Sequence, residues 1–344
     1  MRKLLNTLYV TNPDVYLTKD GENVVAKLDQ KEVMRIPVLN LEGIIGFNRL
    51  GASPYLMAMC AERNIGMCFL TPSGRFLARV TGATNGNVLL RRRQYRFADD
   101  KDWSLNISKV MIAVKIFNSR KILDRFRRDH SQLINDMDNY LHTTKLLDND
   151  RLNIASCKDM DSLRGLEGDA ANAYFSLFRQ MITSKEETFA FHGRNRRPPK
   201  DPTNCLLSFA YTLLTHECQS ALETAGLDPY VGFMHTDRPG RVSLALDIIE
   251  EFRGYLADRL VLSLINRGQV TARDFVENGQ DNILMTDNCK RTVVAAWQKR
   301  KKDTIIHPFL KETVPVGLLP YVQAMLLARY VRGNLDGYPV FMIQ

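Results

Sequence analysis

Four side chains in this sequence could together bind a divalent metal ion, because they combine one imidazole with three carboxylates. His235 ends a short apolar run before a polar turn, and Asp247 and Glu250 lie three residues apart in a helical pattern, so their side chains share one face. Glu167 lies in an earlier helical pattern. A carboxylate on a partly apolar face needs a partner, since an unpaired buried charge is too costly to keep. A metal ion is one such partner.

Each of these residues also has a structural interpretation that stays open at this point. An isolated histidine such as His235 is more often packed in a core or used as a cap. Glu167 could be a surface acid on its helix. The acids at positions 247 and 250 could form ion pairs with Arg241 or Arg253.

The helical pattern around Glu167 adds further candidates. Ser162 could cap this helix, and small residues such as Gly165 and Gly168 predict a close approach of another backbone. Tyr174 follows Glu167 by seven residues and shares its face. This segment therefore predicts an acid in closely packed surroundings.

A second group of polar residues surrounds the segment 192–203, which combines basic residues with two consecutive prolines. Such a segment is expected to be an extended, positively charged loop that ends at Thr203 as a helix cap. In the helix that follows, Asn204, Ser208 and Tyr211 are spaced four and three apart, which predicts a common polar stripe.

The chain is basic, with a formal net charge of +9 and a pI near 9.2. Four basic clusters occur, at 91–96, 120–128, 194–200 and 299–302. Such clusters can neutralise phosphates along a nucleic-acid backbone, although each one alone could be a solvated surface. The residues that we consider as DNA contacts or as supports of the metal site are Arg194, Arg196, Arg197, Arg238, Tyr174, Asn204 and Ser208.

Composition excludes several classes of protein. The 344 residues suggest two domains, and the 45% apolar content is enough for sizeable cores. The six cysteines form no CxxC pair, which favours reduced core residues over a zinc knuckle or a disulfide scaffold. No apolar run reaches about 18 residues, and the N-terminus lacks a signal-peptide pattern. We therefore expect no membrane association and a location in the cytoplasm.

The pattern of the chain changes near residue 85. Before it, short segments alternate apolar and polar residues, with Lys19-Asp20-Gly21-Glu22 as a hairpin turn and a helix that begins at Ser53-Pro54. Two more strands follow around a turn at Ser73-Gly74, and residues 81–87 have the composition of a linker. After that the pattern is helical.

This pattern predicts an α+β fold in which a small N-terminal β domain with one helix precedes a larger all-α domain. The predicted divisions are 1–84 for the β domain, 85–100 for the linker and first helix, and 101–344 for the helical domain. The candidate helices lie near 88–97, 102–128, 130–146, 150–157, 161–183, 203–225, 243–265, 271–277, 287–302 and 315–332.

The sequence also resembles a known family. The segments NVLLRRRQYRFADD, LRGLEGDAANAYF, NCLLSFAYTLL and GFMHTDRPGRVSLALDIIEEFR are together similar to the first and most widespread family of CRISPR-associated proteins. Members of this family are spacer-acquisition integrases and metal-dependent DNA endonucleases. The resemblance covers essentially the whole chain and is strongest to the version found with type I-C systems.

The resemblance implies specific roles for the four residues. The metal ligands of the family fall on Glu167, His235 and Asp247, and Glu250 is the neighbouring acid that completes or orients the site. Two carboxylates and one imidazole suit Mg²⁺ or Mn²⁺. The implied chemistry is attack on a phosphodiester by a DNA 3′-hydroxyl in integration or by water in nicking.

The resemblance also implies partners: double-stranded DNA, as short fragments and as the CRISPR repeat, a second copy paired through the β domain, and a small ferredoxin-like adaptation protein that bridges two such dimers. Two other functions stay open from the residues alone. The protein could be a DNA-binding scaffold without catalysis, or a general repair nuclease acting on branched DNA.

The apolar segment 337–344 has two interpretations. It could pack onto its own helical domain, which we favour, or it could present Tyr338, Val340 and Phe341 to a partner.

Overall fold

The computed structural model describes residues 7–41, 43–63, 65–71, 76–80, 82, 87–196, 198–279 and 282–343. Three features predicted from the sequence lie outside these residues: the Ser73-Gly74 turn, most of the linker, and Arg197. Across the described residues, no helix combines the length and apolar character required to cross a bilayer.

The N-terminal part contains two small sheets and one helix. Strands β1 to β7 are Thr7–Val10, Tyr16–Asp20, Asn23–Leu28, Lys31–Pro37, Gly43–Gly46, Gly66–Leu70 and Phe76–Val80. One sheet is an antiparallel meander of β2, β3 and β4. The other has the order β1-β5-β6-β7, in which only β6 and β7 pair in antiparallel fashion.

Two local predictions for this part are confirmed. Asp20 pairs with Asn23 across the predicted hairpin turn, and Gly21 adopts a φ of +54° that favours glycine. Helix α1 (Pro54–Glu62) begins as expected, with Pro54 in its first turn and the Ser53 side chain accepting a hydrogen bond from the Leu56 N–H.

The rest of the described chain is mainly helical. Helices α2 to α6 are Val88–Asp99, Lys101–His130, Met137–Asn153, Met160–Phe178 and Pro202–Ala225. Helices α7 to α10 are Ser243–Ile249, Arg259–Asn266, Asp287–Lys302 and Leu319–Val331. They pack around one apolar core, at the centre of which α6 contributes side chains from nearly every turn. The mixed fold with strands first and helices second confirms the predicted class.

Several predicted helices are different in the structure. The helix expected at 271–277 is a single 3₁₀ turn followed by strand β8 (Phe275–Glu277), which pairs with β9 (Ile283–Met285). Asn278-Gly279 follows β8 and is a hairpin signal that the helical interpretation overlooked. Strands β10 (Thr304–Ile306) and β11 (Thr313–Pro315) form another pair, so the large domain is not entirely helical.

Two helix starts were also predicted wrongly. The cap of α5 is Asp159, whose side chain accepts a hydrogen bond from the Ser162 N–H, and the cap of α6 is Asp201 rather than Thr203. In both cases an aspartate precedes the predicted cap by two or three residues and takes its place. Thr203 is inside the helix, where its hydroxyl donates to the Phe189 carbonyl.

The long helix predicted at 243–265 is interrupted. Helix α7 ends at Ile249, a π-helix covers Arg253–Asp258, and α8 then begins at Arg259. The wide π turn changes the direction in which successive side chains point, and such turns are frequent at functional sites.

The apolar segment near the C-terminus is part of the core. Tyr338 and Phe341 are 7% and 0% exposed, and Phe341 packs against Phe252 and Tyr255. This supports the interpretation that the segment packs onto its own domain. All six cysteines are unpaired and buried, as expected for reduced core residues.

Candidate active site

The loop before α7 is folded around the carboxylate of Asp247. Backbone N–H groups of Phe233, Met234 and His235 donate to this carboxylate at 2.7, 3.2 and 3.0 Å. The ring of His235 lies 2.6 Å from the same group through Nδ1. Asp247 is fully buried, and both of its oxygens are therefore used in holding the loop and the imidazole.

Two further residues fix this loop. A Cβ atom at Gly232 would lie 2.8 Å from Asp247 Oδ2 and 2.8 Å from Ser243, so only glycine allows the chain to approach this closely. Arg164 donates from Nη2 to the Met234 carbonyl at 2.9 Å. Because Arg164 is on α5, this contact ties the loop to the helix that carries Glu167.

Glu167 and Glu250 are joined by one lysine. Lys115, on α3, forms ion pairs with Glu167 Oε1 and, at 2.9 Å, with Glu250 Oε2. Arg253 pairs with the other oxygen of Glu250, Oε1, at 2.9 Å. The predicted alternative of an ion pair between Glu250 and Arg253 is thus present, together with a second cation that was not predicted.

Glu250 is held in its ionised form. Burial alone would raise its pKa, but Arg253 and Lys115, with a smaller contribution from His235, outweigh burial and lower the pKa of Glu250 to about 2. Within the described residues, Glu250 Oε2 has the ion pair with Lys115 but accepts no hydrogen bond.

The four predicted residues form two pairs. Among the described residues, no three His, Cys, Asp or Glu side chains are gathered closely enough to be a preformed metal cluster. The reason is visible in the contacts: Lys115 lies between Glu167 and Glu250, and Asp247 is turned away towards the loop. The expected ligand set of Glu167, His235 and Asp247 stays a prediction, and both oxygens of Asp247 accept hydrogen bonds from the loop or the imidazole in this structure.

The donors that remain available are Glu167, Glu250 and the second ring nitrogen of His235. Asp247 occupies Nδ1, while Nε2 has no hydrogen-bond partner in the described part of the chain. Histidine ligands of metals commonly hold one ring nitrogen to a carboxylate in this way. The buried, partly unsatisfied carboxylate of Glu250 and the free imidazole nitrogen fit a divalent ion with oxygen and nitrogen ligands.

A second polar cluster lies beside this site. The hydroxyls of Tyr174 and Tyr211 donate to the buried carboxylate of Asp258 at 2.9 and 2.6 Å. The guanidinium groups of Arg194 and Arg253 lie over the Tyr211 ring, with centroid distances of 5.3 and 5.1 Å. Arg253 therefore links this cluster to Glu250.

The predicted DNA contacts are divided between the interior and the surface. Arg194 points inward and donates to Asn204 and Ser208 at 2.7 and 3.0 Å, which confirms the polar stripe on α6. Tyr174 and Asn204 are 4% and 0% exposed. Of the predicted DNA contacts that are described, Arg196 and Arg238 are exposed.

The predicted close packing at Gly165 and Gly168 is not found. A Cβ atom at either position would have no heavy atom within 4 Å, so these glycines border open space. The side chain of Glu167 itself is 24% exposed, so a substrate can reach it.

Sequence reasoning missed Lys115, Arg164 and Asp258. Lys115 had a detectable signal, because it is the only charge in the apolar run Val110–Phe117 of α3. A charged residue in such a run requires a buried partner. Which acid is that partner depends on how α3 packs against α5, and this cannot be read from spacing.

Sequence comparison finds several similar proteins. The sequence profile of a family described as CRISPR associated protein Cas1 matches residues 8–299. The chain is 48% identical over 342 residues to the CRISPR-associated endonuclease Cas1 1 of Chlorobaculum tepidum, with 99% of each chain covered. It is 49% identical over 348 residues to the CRISPR-associated endonuclease Cas1 2 of Rhodospirillum rubrum, with 98% of each chain covered.

A solved structure has the same fold. The chain superimposes with a TM-score of 0.83 and 25% identity on a chain of a "Cas6-RT-Cas1--Cas2 complex", and it covers 100% of its own length but 37% of that chain. The solved chain therefore contains a region equivalent to this whole sequence within a longer protein.

Proposed function

This chain belongs to the Cas1 family of CRISPR-associated proteins, and we propose that it is a metal-dependent DNA integrase that inserts short DNA fragments at a CRISPR repeat. The proposed reaction is transesterification, in which a 3′-hydroxyl of the fragment attacks a phosphodiester of the repeat. One observation carries the proposal: two carboxylates, Glu167 and Glu250, share a single cation beside an imidazole that Asp247 holds by one nitrogen.

We assign Glu167, Glu250 and His235 Nε2 as the groups that would hold Mg²⁺ or Mn²⁺. In this assignment Asp247 positions His235 and Glu250 is a ligand. The sequence-based expectation was the reverse, with Asp247 as the ligand and Glu250 as the neighbouring acid. When bound, the ion would supply Lewis-acid activation of the phosphodiester and stabilise charge in the transition state.

The residues around the site have separate tasks in this reaction. Asp247 keeps the His235 ring in one orientation and its Nδ1 protonated, which leaves Nε2 as the electron-pair donor. Arg253 keeps Glu250 ionised and fixes one of its oxygens. The partial exposure of the Glu167 side chain, 24%, gives the DNA backbone access to this acid.

The wider assembly is proposed on the same basis. Arg196 and Arg238 are exposed and would contact DNA phosphates. Val33, Leu39 and Tyr55 are 55%, 70% and 81% exposed, which supports a contact between the N-terminal parts of two copies. We also propose a small bridging partner of the ferredoxin-like type, and the solved complex whose name includes Cas2 supports the existence of a partner protein. We further propose a type I-C subtype and action in the cytoplasm.

A reconstituted integration assay tests the proposal. The purified protein and its bridging partner are incubated with labelled DNA fragments and a supercoiled repeat plasmid, with Mg²⁺, Mn²⁺ or EDTA. We expect label to join the plasmid only with metal, and Glu250→Gln and His235→Ala to lose this product while still binding DNA. Cutting without joining would identify a repair nuclease instead, and DNA binding without turnover in any metal would identify a scaffold.

A further inference from the structure

Lys115 occupies the position between the two acids that we assign as metal ligands. Its ammonium group contacts Glu167 and Glu250, and its side chain is only 13% exposed. The neighbouring residues Val114 and Ile116 are buried in the core, so the helix holds this lysine at the site. An ammonium group and a metal ion cannot both lie between the same two carboxylate oxygens.

The two acids assigned as metal ligands are each paired with a cation before any metal binds. Glu167 and Glu250 carry two negative charges, and Lys115 and Arg253 carry two positive charges. A divalent ion would add two positive charges to two carboxylates that these cations already neutralise, which is unfavourable at low dielectric. A DNA phosphodiester brings a negative charge to the same place and would offset part of that excess.

From this arrangement, and on the basis of the proposed metal-dependent function, we propose that Lys115 couples metal binding to DNA binding. Without DNA, its ammonium group competes with the metal ion for Glu167 and Glu250 and keeps the metal affinity low. When DNA binds, the ammonium group pairs with phosphate and leaves the two carboxylates to the ion. The site is therefore loaded mainly when a substrate is present.

Such coupling is reciprocal. If DNA raises the affinity for the ion by some factor, the ion must raise the affinity for DNA by the same factor. Typical coupling between two ligands is about 5- to 150-fold in affinity. Lys115→Met removes the competing charge while keeping a side chain of similar length, so it should remove most of this factor.

Mn²⁺ titrations of the full chain test the proposal. The electron paramagnetic resonance signal of free Mn²⁺ is followed for wild type, Lys115→Met and Lys109→Met, each with and without a short DNA duplex. Lys109 is the matched control, because it lies on the same helix and, among the described residues, donates to the Ala155 carbonyl alone. Without DNA, Lys115→Met should bind Mn²⁺ about 10-fold more tightly than wild type, a change within the usual coupling range. Added DNA should then raise the affinity of wild type and the control but hardly that of Lys115→Met.

Each other result has a definite meaning. A folded Lys115→Met variant with unchanged or weaker Mn²⁺ binding in the absence of DNA would overturn the coupling. Wild type that binds no Mn²⁺, with or without DNA, would overturn the metal centre itself and this inference with it. If Lys115→Met unfolds in EDTA, Mn²⁺ should restore its circular dichroism spectrum, because the ion then pairs with both acids. Failure to restore the spectrum would also overturn the proposal.

Discussion

The carboxylate of Asp247 holds the ring of His235 through a hydrogen bond of 2.6 Å from Nδ1 to Oδ1. The same carboxylate accepts hydrogen bonds from three consecutive backbone N–H groups, so the ring and the loop that carries it are positioned together. A histidine fixed in this way presents its other nitrogen in a defined direction.

Asp247→Asn should therefore weaken the metal site without weakening DNA binding. Loss of a carboxylate that supports a ligating histidine typically costs about 10- to 100-fold in metal affinity or activity. We expect both the Mn²⁺ Kd and the rate of strand transfer to change by this order. Asp237→Asn, an exposed acid in the same loop, is the control and should match wild type. Equal Mn²⁺ affinities for all three proteins would exclude the positioning role.

Gly232→Ala should disturb the same loop by crowding. The added methyl group would lie 2.8 Å from both Asp247 and Ser243, and overpacking of this kind costs about 1–3 kcal/mol of unfolding free energy. Gly165→Ala is the matched control, because that position borders open space and alanine is favoured in helices by about 0.5–1 kcal/mol. Urea unfolding should show opposite signs for the two variants. A neutral Gly232→Ala variant would mean that the loop can move away.

Asp258 should make stability depend on pH in a specific direction. Burial, opposed by hydrogen bonds from Tyr211 and Tyr174, raises the pKa of Asp258 to about 6. Because this value lies above the unfolded pKa of about 3.9, the folded state binds the proton more tightly. The contribution of protonated Asp258 to the free energy of unfolding is therefore complete below about pH 4 and is lost as the pH rises through about 6.

Replacing Asp258 with asparagine, which does not titrate, measures the pH-dependent contribution of Asp258 to stability. Asp258→Asn should be destabilised relative to wild type most strongly near pH 4, and the difference should shrink by up to roughly 3 kcal/mol by pH 7. Urea unfolding at intervals between these pH values gives the difference. The exposed Asp237→Asn variant should show a flat profile, and a flat profile for Asp258→Asn would contradict the burial argument.

The buried C-terminal segment should contribute to the stability of the isolated protein. Phe341 is 0% exposed, and truncation of a buried phenylalanine to alanine typically costs about 3–5 kcal/mol. Met342, its neighbour, is 41% exposed, so Met342→Ala should have little effect on the melting temperature. Deletion of 337–344 should lower the melting temperature at least as much as Phe341→Ala does. An unchanged melting temperature with failed complex formation would show instead that the segment serves a partner.

The arginines of the basic segment should separate into two classes. Replacing exposed Arg196 or Arg238 with alanine should weaken DNA binding regardless of sequence, and the log–log salt slope should fall by about one for each phosphate that the protein no longer neutralises. Arg194→Ala should instead lower stability, because its guanidinium group donates to Asn204 and Ser208. Salt titrations of DNA binding and thermal melts distinguish the classes. Unchanged slopes for Arg196→Ala and Arg238→Ala would leave these residues as solvated surface charges.

The comparison of sequence and structure shows where local patterns are sufficient. The hairpin at Gly21 and the helix start at Pro54 were predictable, because turn and cap chemistry depends on neighbouring residues. The proposed roles of Asp247 as the support of His235 and of Glu250 as a metal ligand could not be predicted from local patterns. The assignment depends on hydrogen bonds between Asp247 and backbone N–H groups that lie 12 to 14 residues earlier in the chain. It also depends on the ion pair of Lys115 with Glu167, which are 52 residues apart in the sequence.

The interrupted helix after Glu250 illustrates the same limit. A continuous helical pattern predicted one element at 243–265, and the apolar spacing there is compatible with it. The π-helix at Arg253–Asp258 ends on the buried Asp258, which accepts hydrogen bonds from two tyrosines on other helices. Such contacts come from the tertiary structure alone.

The contacts of Glu251 determine when the site can be completed during protein synthesis. This buried acid, next to Glu250, accepts hydrogen bonds from the Tyr338 hydroxyl and from the Phe341 N–H, 90 residues later in the chain. Asn118, on α3, donates to the backbone carbonyls of both Glu251 and Phe341. Because a chain is made from its N-terminus, the support behind Glu250 is missing until the ribosome has added residues 338–343. A nascent chain therefore carries all the proposed ligands before it has a finished active site.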